Sequence, residues 1–253
     1  NKESIKKLMK KIVLGTAQFG MSYGLNNKKK LPFNIIKKII NKARKRKINF
    51  LDTAISYGNS ETILGKIGVS DFSVITKIVI SNSAMKNPKA WIEKQIIQSL
   101  KKLKIKKLYA VLIHNPLFLQ KDKKRRIYKS LEDLKMKGLV KKIGFSIYST
   151  SDLDFLYKGY KLDIIQLPIN LIDRSFADSN WLKKLKKDNV EIHGRSIFLQ
   201  GLLLTSISKK FDSFGKWSKL WINYHKWLNK NNLKPLDACL SYVRSVSEIT
   251  KIV

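Results

Sequence analysis

The sequence predicts an α/β fold, a (β/α)8 TIM barrel, and three observations lead to that prediction. Short apolar runs rich in Ile, Val and Leu alternate along the chain with longer amphipathic segments. The runs are almost continuously apolar, as in parallel strands that are buried on both faces. No glycine-rich turn of the form G-x-G-x-x-G follows a run, although open nucleotide-binding sheets usually have one. An open doubly wound sheet is the alternative.

Eight runs are expected to form the strands. They are Lys11–Ala17, Ile48–Ala54, Phe72–Ile78, Leu108–His114, Lys141–Ile147, Asp163–Ile169, Val190–Ile197 and Thr250–Val253. Seven amphipathic segments between them are expected to form helices. They are Pro32–Arg46, Glu61–Ile67, Pro88–Leu103, Asp122–Lys137, Ser151–Lys158, Ser175–Lys187 and Pro235–Val246. Asn87 before Pro88 is typical of a helix start, and Gly138 is typical of a helix end.

The whole chain, residues 1–253, is interpreted as one barrel domain. The eighth run ends at Val253, and a buried parallel strand needs a helix over its outer face. We therefore expect a barrel that lacks its final helix because the chain is cut short. The segment Lys209–Asn232, rich in Trp and Lys, is expected to be an insertion after the seventh strand. Together with Phe19–Asn27 and Leu117–Gln120 it is expected to shape the substrate pocket.

The charge of the chain is strongly positive, with 52 Lys and Arg against 18 Asp and Glu and a formal net charge of +34. Such an excess attracts nucleic acid or anionic membranes. The lysines, however, are spread over nearly every predicted helix, and Arg, which suits bidentate phosphate contacts, is scarce. We interpret the charge as a compositional bias, with a polyanion-binding surface as the alternative.

Other features of the composition indicate the compartment. No run approaches the roughly 18 apolar residues of a membrane span, and no apolar core follows the basic N-terminus as in a secretory signal. The single cysteine, Cys239, excludes an internal disulfide and fits a reducing compartment. We expect a cytoplasmic protein that uses neither a metal nor a membrane.

Polar residues stand at the ends of four predicted strands. These residues are Asp52, Lys77, His114 and Gln166. The C-terminal ends of barrel strands share one rim, and the reacting groups of such barrels project from it. Closing the barrel is therefore expected to bring the four side chains together.

Tyr57 follows Asp52 by five residues, in a turn expected to carry its hydroxyl over this rim. An ammonium at Lys77 would lower the pKa of the phenol, and Asp52 would keep that ammonium charged. His114 would donate a hydrogen bond to a carbonyl. The set would supply a general acid and stabilise an alkoxide. Each residue alone has a plainer interpretation as a cap, a solvated charge, a turn residue or packing, but their occurrence together favours catalysis.

At these residues the sequence resembles the aldo-keto reductase superfamily. The most specific part is Ile48–Ala54 followed by Tyr57–Glu61, and the likeness extends over nearly the whole chain. Lys77 and His114 stand where the family has its other two catalytic residues. Asn170 and Arg174 match a recurring family stretch after the sixth strand.

The resemblance implies reduction of an aldehyde, ketone or sugar-like carbonyl by NADPH (or NADH), which lies extended across the barrel rim. Hydride goes to the carbonyl carbon and Tyr57 protonates the oxygen, assisted by Asp52, Lys77 and His114. The resemblance also implies a set of cofactor contacts. They are Gly15, Thr16, Ser146, Gln166, Arg195, Ser196, Leu199 and Gly201.

The sequence departs from the family pattern at two positions. Ile147 stands where many members have asparagine, and Arg195 stands where many have an aromatic residue stacked on the nicotinamide. A guanidinium plane also stacks on a ring. The residues that would distinguish NADPH from NADH lie beyond this sequence, so both cofactors stay open.

Two other functions are kept as alternatives. The first is a cofactor-binding regulatory or protein-interaction barrel with little turnover, and an intact set of four polar residues argues against it. The second is nucleic-acid binding through the large positive charge, which we rank last. The substrate and the oligomeric state are left open.

Overall fold

The computed structural model describes residues 8–24, 29–122, 125–205 and 215–253. Eight parallel strands follow one another in chain order, each paired with the next. A bridge between Ile12 and Ile252 joins the last strand to the first, and the Val13 amide donates to the Ile252 carbonyl at 2.8 Å. The predicted (β/α)8 barrel is confirmed, and no helix follows the eighth strand in this chain.

The strands are β1 Leu14–Gly15, β2 Phe50–Asp52, β3 Ser73–Ile78, β4 Leu108–Ile113, β5 Val140–Ser146, β6 Ile164–Pro168, β7 Glu191–Arg195 and β8 Lys251–Ile252. The helices are α1 Ala17–Gly20, α2 Phe33–Lys45, α3 Ser60–Ile67, α4 Asn82–Lys86, α5 Pro88–Leu103, α6 Arg126–Met136, α7 Thr150–Gly159, α8 Trp181–Lys187, α9 Ser218–Lys230 and α10 Pro235–Ser245.

The strands are shorter than the apolar runs that predicted them, above all at β1. The run Lys11–Ala17 was expected to be one strand, but Ala17 begins α1. An apolar run marks burial, whereas a strand requires hydrogen bonds to a neighbour. The predicted helix ends are confirmed at two places: the Asn87 side chain accepts from the Ala90 amide at 3.2 Å, and Gly138 has φ +74° after α6.

The insertion after β7 is described only in part, because residues 206–214 lie outside the described residues. Its described part forms α9, where Trp221, Tyr224 and Leu228 pack with Leu203 and Cys239 in a small core of their own. Two tryptophans of this segment differ in exposure: Trp221 is buried, whereas Trp227 is 42% exposed. Trp221 is therefore a packing residue of this small core.

The two faces of each strand are buried in different cores, which explains the nearly continuous apolar runs. Outward side chains such as Leu51 and Phe145 pack against the helices in the main core. Inward side chains such as Val13, Ile75 and Leu112 fill the barrel interior. Polar residues are thereby confined to the two ends of the interior.

The N-terminal end of the interior, called the floor below, holds a buried charged cluster. Glu191 accepts hydrogen bonds from Tyr109 at 2.7 Å, Lys142 at 2.5 Å and His193 at 2.6 Å. Burial alone would raise the pKa of Glu191, but these hydrogen bonds outweigh it and lower the pKa to about 2. The carboxylate is therefore an ionised centre that joins three strands at the floor.

Candidate active site

The C-terminal ends of the strands form the opposite rim, called the mouth below, and a buried ion pair lies at its base. Lys77, at the end of β3, donates to Asp52 Oδ1 at 2.5 Å and to the Thr53 carbonyl at 2.9 Å. The two charged side chains are only 1% and 5% exposed. Burial lowers the pKa of Lys77, and the Asp52 carboxylate opposes that effect. The ammonium therefore depends on Asp52 for its charge.

Tyr57 lies on this pair because two backbones come into direct contact. A Cβ added to Gly20 would lie 1.7 Å from the Tyr57 carbonyl oxygen, and one added to Gly58 would lie 2.4 Å from the Gly20 oxygen. Gly58 also has φ +57°, which favours glycine. The loop is held so that Lys77 Nζ lies 5.0 Å from the centroid of the Tyr57 ring. The structure therefore places the Tyr57 ring beside the pair formed by the Lys77 ammonium and the Asp52 carboxylate.

The expected direction of the Tyr57 pKa shift was wrong. Burial of the half-buried phenol raises its pKa, the Asp52 carboxylate raises it further, and Arg195 opposes the rise. The positive charge of Lys77 is balanced by Asp52, which explains why the ammonium does not lower the pKa as expected. Tyr57 is therefore held in its protonated form.

His114 extends β4 by one residue, and its amide donates to the Ile78 carbonyl at 2.8 Å. Burial lowers the pKa of the imidazole to about 4, and the positive charges of Lys77 and Arg195 add to the effect. The ring is therefore neutral at physiological pH. Its Nε2 lies 3.5 Å from the hydroxyl of Tyr148, which is 62% exposed.

Ser146 and Gln166 lie side by side at the ends of β5 and β6. Gln166 donates from Nε2 to Asp52 Oδ2 at 2.7 Å, and its Oε1 accepts from the Ser146 hydroxyl at 3.3 Å. Both side chains are fully buried. Gln166 thus contacts the carboxylate oxygen of Asp52 that Lys77 does not contact, and Ser146 contacts Gln166.

Arg195 ends β7 and spans the mouth towards β5. It donates to the Ile147 carbonyl at 2.8 Å and to the Ser196 hydroxyl at 3.1 Å, and its guanidinium carbon lies 4.3 Å from the centroid of the Tyr148 ring. Its Nε is buried and has no hydrogen-bond partner among the described residues. The loop that follows has left-handed φ angles at four residues. They are Ser196, Leu199, Gln200 and Gly201.

The remaining predicted residues lie around this set. Gly15 is exposed at the end of β1, whereas the Thr16 hydroxyl is used within the protein, donating to the Asp52 carbonyl at 2.9 Å. The Asn170 amide is buried with no partner for Nδ2 among the described residues, and Arg174 is exposed beyond it. Of the expected pocket loops, Leu117–Gln120 forms part of a 3-10 helix, and residues 25–28 lie outside the described residues.

Two contributors to the mouth were missed from the sequence. Tyr148 was not singled out, because a tyrosine after a strand has no motif of its own, although its position two residues after Ser146 places it at the rim. Ser60 is fully buried and donates to the Thr16 carbonyl at 3.1 Å, which ties the Tyr57 loop to β1. A buried serine in a polar turn gives no recognisable pattern.

A closed barrel of eight parallel strands, with ionisable groups gathered at its C-terminal rim, defines the class as a (β/α)8-barrel protein with an enzyme-like site. The chain belongs to the aldo/keto reductase family, whose model matches residues 11–253. Membership supports an oxidoreductase that reduces a carbonyl. A comparison with curated protein sequences gave no significant match.

Solved structures of the same family have the same fold. The holo form of the aldo-keto reductase AKR11C1 from Bacillus halodurans is 18% identical, with a TM-score of 0.75, and the match covers 96% of this chain and 80% of that one. The glycerol dehydrogenase AKR11B4 from Gluconobacter oxydans is 22% identical, with a TM-score of 0.69 and coverage of 96% and 81%. At these identities the likeness is one of fold.

The mouth has features that fit a nicotinamide cofactor. The left-handed φ angles of Ser196, Leu199, Gln200 and Gly201 turn the backbone sharply. A Cβ added at Gly201 would meet nothing within 4 Å, so the space beside this backbone allows a phosphate to approach closely. The buried Asn170 Nδ2 is a donor without a partner among the described residues. Gln166 keeps one amide hydrogen beyond the one given to Asp52.

Within the described ranges, no group of three or more His, Cys, Asp or Glu side chains is arranged to hold a metal ion. No helix there has both the length and the apolar character needed to cross a membrane. Exposed lysines occur on α2, α5, α8 and α9, so the positive charge is spread around the barrel.

Proposed function

We propose that the protein reduces the carbonyl of an aldehyde, ketone or sugar-like compound to an alcohol, using NADPH or NADH. The observation that carries the proposal is the buried pair of Lys77 and Asp52 with the Tyr57 ring beside it. A protonated phenol beside this ion pair is a proton donor, and the charges of the pair are held in fixed positions next to it. Such an arrangement stabilises the negative charge that develops on the carbonyl oxygen.

Tyr57 is the proposed proton donor. Its raised pKa keeps the hydroxyl protonated until the carbonyl oxygen becomes basic enough to take the proton. Lys77 then lies close to the phenolate that is left, which it stabilises through charge. Asp52 holds Lys77 in place and keeps it charged.

His114 is proposed to orient the substrate. Because its pKa is lowered to about 4, the neutral imidazole has one N–H to donate to the carbonyl oxygen and carries no charge of its own. A neutral donor polarises the carbonyl without competing with Tyr57 to deliver a proton.

The cofactor would supply the hydride for the carbonyl carbon. We propose that Ser146 and Gln166 hold its carboxamide and that Arg195 lies against its ring. The other proposed contacts are Gly15, Thr16, Ser196, Leu199 and Gly201. The curled backbone of the loop after β7 supports the phosphate contact. Both NADPH and NADH are kept, and the single cysteine keeps the cytoplasm as the proposed compartment.

The test is a screen of aldehydes, ketones and aldoses with NADPH and with NADH, following the absorbance of the reduced nicotinamide. We expect carbonyl-dependent oxidation with one alcohol formed per cofactor. Lys77→Met should abolish it, whereas Lys107→Met, which removes an exposed lysine at the floor end of β4, should not.

The outcomes separate the alternatives. Cofactor binding without turnover on any carbonyl would favour the regulatory barrel and contradict the reductase. Absence of both binding and turnover would contradict both. Turnover that Lys77→Met leaves unchanged would contradict the assigned site while leaving the activity in place.

A further inference from the structure

Among the described residues, Arg195 is a positive charge at the mouth that no ion pair balances. The charges of Lys77 and Asp52 cancel at 2.5 Å. Arg195 remains, and none of the ion pairs between described residues includes it. By contrast, the lysine at the floor, Lys142, is paired with Glu191.

The contacts of Arg195 hold its guanidinium in place without neutralising it. Its two hydrogen bonds go to the Ile147 carbonyl and the Ser196 hydroxyl, both of which are neutral. Its Nε is buried and unpartnered among the described residues. A buried donor on a cation is costly to leave unpaired, so this group is suited to an anionic oxygen.

The charge lies on the side of the mouth where a substrate would bind. The guanidinium packs on the ring of Tyr148 at 4.3 Å, and the Tyr148 hydroxyl is 3.5 Å from His114 Nε2. Arg195 lowers the pKa of His114 and opposes the rise in the pKa of Tyr57, so its field acts at both groups proposed to touch the carbonyl. The electrostatic field of Arg195 that acts on His114 and Tyr57 also acts on a substrate bound beside them.

We propose that the mouth selects carbonyl substrates that carry an anionic group, carboxylate or phosphate, and that Arg195 is the charge that determines this specificity. The inference rests on the proposed reductase function and names its substrate class. The exposed ring of Tyr148 forms the wall of this subsite, with the guanidinium behind it.

The effect is measured as a ratio, so that any influence of Arg195 on the cofactor cancels. At saturating cofactor, kcat/KM is determined for succinic semialdehyde and for its methyl ester, which differ in charge. One charge pair at the effective dielectric of a protein surface predicts a preference for the anion on the order of 10- to 100-fold. Arg195→Gln should bring the ratio close to one, and Arg195→Lys should preserve most of it.

Arg46→Gln is the matched control, because it removes the same charge from the exposed C-terminus of α2, at the floor end. Its ratio should equal that of the wild type. A ratio that falls equally in both variants would show that net charge alone is responsible and would overturn the proposal. A ratio unchanged in Arg195→Gln, even with weaker cofactor binding, would assign Arg195 to the cofactor alone and also overturn it.

A binding measurement keeps the inference testable apart from turnover. In the protein saturated with cofactor, the imidazole signals of His114 are followed by NMR while butanoate or butanamide is added. Butanoate should shift them at a concentration at least tenfold lower than butanamide does, and Arg195→Gln should remove the difference. Equal responses would overturn the charge preference, whereas absence of turnover with every carbonyl would overturn only the reductase function.

Discussion

The buried ion pair makes a quantitative prediction for the substitution Lys77→Met. The side chain of Met fills similar space, but Asp52 loses its cation and the Thr53 carbonyl loses a donor. Breaking a buried pair by removing one partner costs about 3–5 kcal/mol. We expect the lower end, about 3 kcal/mol, because Gln166 still donates to the carboxylate at 2.7 Å.

The double variant Asp52→Asn, Lys77→Met provides the control. It removes both charges and leaves an amide that hydrogen-bonds with Gln166, and replacing a whole buried pair by neutral residues is often close to neutral in stability. We therefore expect the double variant to be more stable than Lys77→Met alone, with a coupling energy of about 2 kcal/mol.

Urea unfolding of the double variant and of both single variants, Lys77→Met and Asp52→Asn, followed by tryptophan fluorescence, measures both quantities. A loss of about 3 kcal/mol would also lower Tm by roughly 6–12 °C in a chain of this size. A loss below about 1 kcal/mol in Lys77→Met, or additive losses in the double variant, would refute the view that the two charges depend on each other.

Three further predictions follow from the geometry and the pKa shifts. NMR titration should show His114 neutral down to about pH 4, since its pKa is lowered from 6.5, and protonation near 6.5 would contradict this. The lowered pKa of Glu191 stabilises the fold above about pH 4.5, and this contribution should be lost as the pH falls towards 2. The free energy of unfolding of Glu191→Gln should therefore fall less on acidification than that of the wild type. Gly20→Ala should displace the Tyr57 loop, which should lower the free energy of unfolding by about 1–3 kcal/mol and remove most of the turnover. Gly68→Ala is the control: its added Cβ meets no neighbour, so it should lower the free energy of unfolding by less than about 1.5 kcal/mol and retain turnover. Equal effects of the two substitutions would contradict the close contact at Gly20.

The sequence was sufficient to predict the barrel and the residues at its rim. Asp52, Lys77 and His114 end three consecutive apolar runs, and parallel topology alone brings the ends of such runs to one edge. Tyr57 could be added because it follows Asp52 closely. These predictions needed only the order of the elements.

Features that depend on side-chain packing could not be predicted. The raised pKa of Tyr57 follows from how deeply its loop is buried, and the strand lengths at β1 follow from which amides find partners. The floor cluster around Glu191 joins residues from strands far apart in sequence. The contact between Arg195 and Tyr148 likewise crosses from β7 to the end of β5.

The central claim is that the Tyr57 hydroxyl supplies the proton, and Tyr57→Phe tests it most directly. The Phe ring can keep the contact with Lys77. Tyr160→Phe is the matched control, because it removes a tyrosine hydroxyl outside the mouth, at the residue that follows α7 and packs on Phe145. Tyr57→Phe should lower kcat for carbonyl reduction by about 10²- to 10⁴-fold with cofactor affinity and unfolding free energy retained, and Tyr160→Phe should not. Undiminished turnover in Tyr57→Phe would contradict the claim.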